Sequence, residues 1–154
     1  MSAAPSASSD RLIAAAAAAR SRAYCPYSRY PVGAAVLAGS GKIFAGCNVE
    51  NASYGLSMCA ERVAVSHAVA AGEASIRAVA IVGDKANPCG ACRQVLLEFG
   101  GPDTEVFLVD DAGASSGRRV TRTDLGRLLP VPFDPRSAGL LPSPAVKTSK
   151  RSSR

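Results

Sequence analysis

Two cysteine motifs constrain this chain more than anything else in it: Cys59-Ala60-Glu61 and Pro88-Cys89-Gly90-Ala91-Cys92. Each opens a segment with helical character. Residues 59–71 carry Val63, Val65, His67 and Val69 among alanines before Gly72, and residues 89–99 run from Pro88 to a Gly100-Gly101-Pro102 stop. A Cys-x-x-Cys pair in a first helical turn puts both sulfurs on one face. Helix N-termini carry partial positive charge, which favours thiolate, the form that binds metal. Three thiolates from two such starts make a soft donor set suited to zinc. A fold for this sequence therefore has to aim two helix N-termini at one point.

The remaining elements follow from local pattern. Ser9 or Asp10 can cap an alanine-driven helix to about Ala23, and 24–31 is a loop rich in proline and tyrosine. Residues 32–37 and 42–49 read as strands around a Gly39-Ser40-Gly41 turn, with 51–57 a loop. Further strands are expected at 78–83 and 105–110, with 118–121 a candidate fifth, and Thr123 is expected to cap a short helix through Leu129. Strands separated by single helices imply crossovers and parallel neighbours, beside an antiparallel starting pair. The expected class is α/β: a three-layer α/β/α sandwich around a five-stranded mixed sheet.

Charge bears on partners. The net charge of +6 is concentrated at one end: residues 134–154 hold five basic residues, Arg136, Lys147, Lys150, Arg151 and Arg154, against Asp134. The rest is close to balance, with 13 basic and 11 acidic residues, which argues against a nucleic-acid partner. Three parts are expected: a disordered segment 1–9, a catalytic domain 10–133, and a solvated Pro/Ser-rich tail 134–154. The opening Met1-Ser2-Ala3-Ala4-Pro5 lacks the basic stretch of a secretory signal, and no apolar run approaches the roughly 18 residues of a membrane span. The expected location is the cytoplasm. There, five cysteines (Cys25, Cys47, Cys59, Cys89 and Cys92) point to metal or catalytic use rather than disulfides.

Three protein ligands leave zinc an open position, the mark of a catalytic site. Candidates for a fourth ligand are Cys25, Cys47 and His67. Cys47 reads as strand core, Cys25 sits in the aromatic loop, and His67 is two turns from Cys59, roughly 12 Å by helix rise. Glu61 favours the open site. It lies too close to Cys59 to share the metal comfortably, yet it can stand over the open position and move protons. A cysteine or histidine ligand, a glutamate two residues on and a distant Pro-Cys-x-x-Cys is the pattern of zinc deaminases. Three thiolates on a dication leave a formal charge of −1, which Arg62 and the helix dipoles are placed to offset.

At these residues the sequence closely resembles cytidine deaminases of the homotetrameric type, within the zinc-dependent cytidine/deoxycytidylate deaminase superfamily. The resemblance runs from about Arg11 to Phe133. It includes Tyr27-Ser28-Arg29-Tyr30-Pro31-Val32-Gly33, Gly46-Cys47-Asn48-Val49-Glu50-Asn51-Ala52-Ser53-Tyr54-Gly55, Cys59-Ala60-Glu61-Arg62 and Pro88-Cys89-Gly90-Ala91-Cys92-Arg93-Gln94-Val95-Leu96. It implies one zinc per subunit, held by Cys59, Cys89 and Cys92, with Glu61 as proton shuttle. It further implies that Asn48 and Glu50 hold the ribose hydroxyls and that backbone groups of Ala60 read the pyrimidine edge. Tyr30 stands where the family usually has a phenylalanine near the base, Phe133 matches an aromatic that reaches a neighbouring subunit's site, and Gln94 is expected to support the metal ligands. Between Gly83-Asp84 and Pro88 only Lys85-Ala86-Asn87 intervenes, where the family usually has a longer loop. Asn51-Ala52-Ser53 also fits a glycosylation sequon, which a cytoplasmic chain would not use.

The expected reaction is hydrolytic deamination of cytidine and deoxycytidine to uridine and deoxyuridine, with release of ammonia. Three alternatives share parts of the pattern: a blasticidin-type nucleoside antibiotic deaminase, a nucleic-acid-editing deaminase, and a non-enzymatic module with a structural zinc. The first is separated by comparing turnover of the two nucleosides, and the second by salt-dependent binding to single strands. The third is separated by zinc-edge X-ray absorption. The open site predicts three sulfurs and one oxygen around the metal; four sulfurs would mean a structural site.

Overall fold

The strand Gly33–Ala38 (β1) consists largely of small residues, and this choice sets how closely helices approach it. The computed structural model describes residues 7–111 and 117–141. In chain order the other elements are α1 (Ala7–Arg20), β2 (Ile43–Cys47), a 3-10 turn Tyr54–Leu56, α2 (Ala60–Ala70), β3 (Ile76–Gly83), α3 (Gly90–Phe99), β4 (Glu105–Asp110), β5 (Arg119–Asp124) and α4 (Leu125–Leu128). One five-stranded sheet has the order β2-β1-β3-β4-β5. Within this sheet, among the described residues, β3–β4 is the parallel pair and the other three pairings are antiparallel.

Side chains alternate across the sheet with the period of two that a strand imposes. Ala35, Ala78, Ala80, Val82, Phe107 and Val109 are buried with Leu12, Ile13 and Ala16 of α1 on one face. Ala34, Val36, Val79, Ile81 and Val106 are buried on the other with Ala64 and Val65 of α2 and Leu96 and Leu97 of α3. The result is the expected α/β/α sandwich. Two glycines mark where the layers touch backbone to backbone. A Cβ on Gly33 would lie 2.0 Å from the Ala16 carbonyl of α1, and one on Gly46 would lie 2.5 Å from the Ala64 nitrogen and 2.9 Å from the Ala60 oxygen of α2.

Strand directions explain where the site forms. β2 and β3 both run antiparallel to β1, so their C-terminal ends share one edge of the sheet. α2 follows β2 and α3 follows β3, so both helices begin above that edge, the place where open α/β sheets build their sites.

Several expected boundaries shift for physical reasons. α1 begins at Ala7, inside the segment 1–9 expected to be disordered; residues 1–6 lie outside the described part. It ends at Arg20 rather than Ala23, because Arg22 and Ala23 donate to Ala19 and Arg20 in tight turns. β3 begins two residues early, at Ile76. The fifth strand runs to Asp124, so Thr123 sits in the ladder opposite Val106, and Asp124 caps α4 by accepting from Arg127 N. The chain from Asp134, expected to be a solvated tail, continues through 141 as turns: Ala138 N donates to the Asp134 carbonyl and the Arg136 guanidinium to the Glu98 carbonyl. Residues 142–154 lie outside the described part.

Because Gly46 abuts the first turns of α2, Gly46→Ala is expected to destabilise the fold by about 3 kcal/mol, the upper end of ordinary overpacking. Gly55→Ala, where a Cβ meets nothing within 4 Å, should change stability by less than about 0.5 kcal/mol. Urea unfolding of both variants checks the contrast.

Candidate metal centre

Cys59 and Cys89 occupy the N-cap positions of α2 and α3, both with extended backbone and neither with a side-chain capping hydrogen bond. Cys92 lies in the first turn of α3 and is fully buried. The three Sγ atoms fall within 4.8 Å of one another, with Cys89 and Cys92 3.5 Å apart. Two sulfurs each about 2.3 Å from a tetrahedral zinc stand about 3.8 Å apart, so this donor set fits that ion in both chemistry and spacing.

A small ladder carries Cys59 to this place. Val49 bridges Tyr24 on one side and Met58 on the other. Val49 and Met58 exchange two backbone hydrogen bonds of 2.9 Å, and Glu50 N donates to the Tyr24 carbonyl at 2.8 Å. The loop after β2 is thereby folded back so that Met58 delivers Cys59 beside α3. On the other side the Arg93 guanidinium donates to the Pro88 carbonyl at 2.8 Å and to the Leu128 carbonyl at 2.6 Å, fixing the entry to Cys89. Neither device was read from sequence. Arg93 directly follows Cys92, and that adjacency is the only signal it offers.

Electrostatics divide the cluster unequally. The Cys59 thiol is lowered to about 5, chiefly because Cys92 hydrogen-bonds to it; burial opposes this, and Arg62 and Cys89 add to the lowering. The Cys92 thiol is raised, first by that same partner and then by burial. Arg62 donates to the Ser57 carbonyl at 2.8 Å, and its Nε is buried with no hydrogen-bond partner. The guanidinium lowers the Cys59 thiol both by a hydrogen bond to it and by its charge.

Glu61 is 4% exposed, in the first turn of α2. Burial lifts its carboxyl to about 6; its own backbone N–H works against this, and the Cys59 thiolate adds to the rise. A buried acid beside a thiolate cluster is a group poised to hold or release a proton near neutrality.

The expected substrate contacts differ in burial and in partners. Glu50 is half-buried, and its Oε2 accepts from Tyr27 N at 3.0 Å and Ser28 N at 3.2 Å. The Ser28 hydroxyl is the main cause of its lowered pKa. Asn48 uses its amide on the backbone, accepting from Val32 N and donating to the Tyr30 carbonyl, both at 2.9 Å. The methyl of Ala60 is fully buried. Gln94, expected beside the ligands, turns its amide to the Phe133 carbonyl at 2.9 Å, and the Phe133 ring is 63% exposed. Two of the three fourth-ligand candidates are engaged elsewhere. Cys47 Sγ donates to the Arg22 carbonyl, and His67 meets the Ala45 carbonyl and stacks edge-on against Phe44. Among the described residues the Cys59, Cys89, Cys92 group is the one cluster able to hold a metal ion.

Residues 6–109 match the description "cytidine and deoxycytidylate deaminase zinc-binding region". The chain belongs to that family. Zinc is accordingly its cofactor. A cytidine deaminase of Sporosarcina psychrophila is 44% identical over 127 residues, which cover 80% of this chain and 90% of that one. Another, of Halalkalibacterium halodurans, is 50% identical over 100 residues, covering 63% and 76%. The crystal structure of cytidine deaminase from Burkholderia pseudomallei superposes with a TM-score of 0.72 at 50% identity, covering 80% of this chain and 98% of that one. Among the described residues, no helix is long and apolar enough to cross a membrane.

Removing the charge at Arg62 should raise the thiol pKa of Cys59 and weaken metal retention. Arg62→Ala is expected to lose zinc to a competing chelator about 10 to 100 times more readily than the parent. Zinc release followed with a colorimetric chelator at neutral pH measures this, and Arg62→Lys should fall between.

Proposed function

We propose that this chain hydrolyses cytidine and deoxycytidine to uridine and deoxyuridine, releasing ammonia, with Glu61 as the proton carrier. The observation that carries this reading is the buried Glu61 carboxyl beside three sulfurs that converge from two helix starts. Family membership supports it, as do relatives named for the same reaction.

Cys59, Cys89 and Cys92 would hold the zinc through their thiolates. Zinc there supplies a Lewis acid that brings the pKa of water from about 15.7 toward 7. Glu61 accepts one proton from the attacking water and passes it to ring N3 as the oxygen adds at C4. It then takes the remaining proton of that oxygen and delivers it to the departing amine. The C4–N4 bond breaks, the C4 carbonyl forms and ammonia leaves. A carboxyl whose burial raises its pKa toward neutrality suits both transfers.

Glu50 and Asn48 orient the sugar. Glu50 keeps its charge at the surface because Ser28 and backbone N–H groups hold the carboxylate form. The Asn48 amide makes one bond at each end, which leaves one N–H and one lone pair for ribose hydroxyls. Backbone groups of Ala60 read the pyrimidine edge, and the Tyr30 ring flanks the base. The exposed Phe133 ring is read as reaching a neighbouring subunit's pocket in a homotetramer. The setting is pyrimidine salvage in the cytoplasm.

Glu61→Gln keeps the volume and removes the proton acceptor. It should retain one zinc per chain while kcat on cytidine falls by at least about 1,000-fold. Ultraviolet loss of cytidine together with a zinc assay reads both, and near-parental turnover in a zinc-loaded variant would end the shuttle assignment.

A further inference from the structure

The link from β3 to α3 is short and conformationally demanding. Asp84, Lys85, Ala86, Asn87 and Pro88 separate the last residue of β3 from Cys89, and Lys85 sits at φ 50, a left-handed conformation that most side chains disfavour. Such a segment needs external holds. Lys85 N donates to Asp110 Oδ1 at 3.0 Å, and Ala86 is 5% exposed, close against Gly83. Arg93 grips the Pro88 carbonyl. A further hold comes from the segment before β1, where the Tyr30 hydroxyl donates to the Asp84 carbonyl.

Tyr30 is itself fixed at its root. Its N–H donates to Ser28 Oγ at 3.1 Å and its carbonyl accepts from Asn48 at 2.9 Å. The next two residues are held as well, Pro31 O by Arg20 Nε at 3.0 Å and Val32 N by Asn48 Oδ1 at 2.9 Å. A phenol on so fixed a stem can act as a strut. Its pKa is raised, first by burial and then by Asp84, so it remains a donor, and the Glu61 charge contributes to the same rise.

We propose that Tyr30 is a positioning residue whose hydroxyl clamps the 84–87 loop to the 28–32 segment, fixing the pocket wall and hence nucleoside affinity. The proposal rests on the deaminase reading above and gives the hydroxyl a task separate from any stacking by the ring. The clamp ties the segment that carries the Glu50 anchors, Tyr27 and Ser28, to the approach to Cys89. Without it, the sugar side and the metal side of the pocket are no longer held at a fixed separation by this contact.

The test uses zinc-loaded Tyr30→Phe, with steady-state cytidine kinetics and amide hydrogen exchange in the absence of nucleoside. Expected are a KM about tenfold higher, the size of one net hydrogen bond, with kcat within about twofold and faster exchange at Lys85, Ala86 and Asn87. An unchanged KM overturns the proposal. So does a raised KM without faster exchange, since the hydroxyl would then meet the substrate rather than the loop. Asp110→Ala loosens the same loop from its other end and should reproduce both changes; it decides the matter if Tyr30→Phe does not fold. Parent enzyme that turns over no cytidine sinks the underlying reading instead, and the exchange comparison still tests the clamp.

Discussion

Everything in this structure depends on the meeting of two helix N-termini over one sheet edge. The sulfurs of Cys59, Cys89 and Cys92 come within 4.8 Å only because β2 and β3 point the same way and each is followed by its helix. β1, placed between them and antiparallel to both, makes that possible. Its small residues let α1 approach one face while α2 approaches the other, and Gly46 lets β2 touch the first turns of α2 directly. The distance between the sheet and the sulfur cluster is therefore set by backbone contact and leaves little slack.

Charge follows from that geometry. Three thiols held so close cannot all ionise without a cation between them. The lowered Cys59 thiol and the raised Cys92 thiol express this competition. Arg62 leans the balance toward thiolate from one side, and the positive ends of α2 and α3 do so from the other. Glu61 is buried in the same field and its pKa rises, whereas half-buried Glu50, held by Ser28 and backbone N–H groups, has a lowered one. Two carboxylates of one chain thus differ in their hold on a proton because their surroundings differ.

Much of this was legible in the residues. The helix starts at Cys59 and Cys89, the Gly72 stop and the strand at 105–110 all follow from local pattern, and the structure bears them out. The sandwich followed from the order of elements. What sequence could not supply were contacts made by backbone atoms between distant segments. The double bridge at Val49 joins Tyr24 to Met58 with no side-chain signature, and the amide of Asn48 is drawn to the backbone of residues 30 and 32. Thr123 and Asp124 are both good caps by type, and only the ladder with β4 decides between them. The Arg136 bond to α3 has no counterpart in composition, which gives residues beyond 133 the character of a solvated tail.

The cap positions of α2 and α3 carry a final consequence. A serine at residue 59 or 89 could accept a hydrogen bond from the leading N–H groups, whereas neither cysteine does so. Oxygen caps stabilise a helix by roughly 1 kcal/mol over residues that cannot accept. At both positions the side chain best for folding alone differs from the one present, so the scaffold gives up rigidity where it gains chemistry. Screening the metal-free chain for thermal tolerance would therefore tend to favour changes at the two sites that its reactivity can least withstand, whereas with zinc bound the metal's own contribution to folding reverses that pressure.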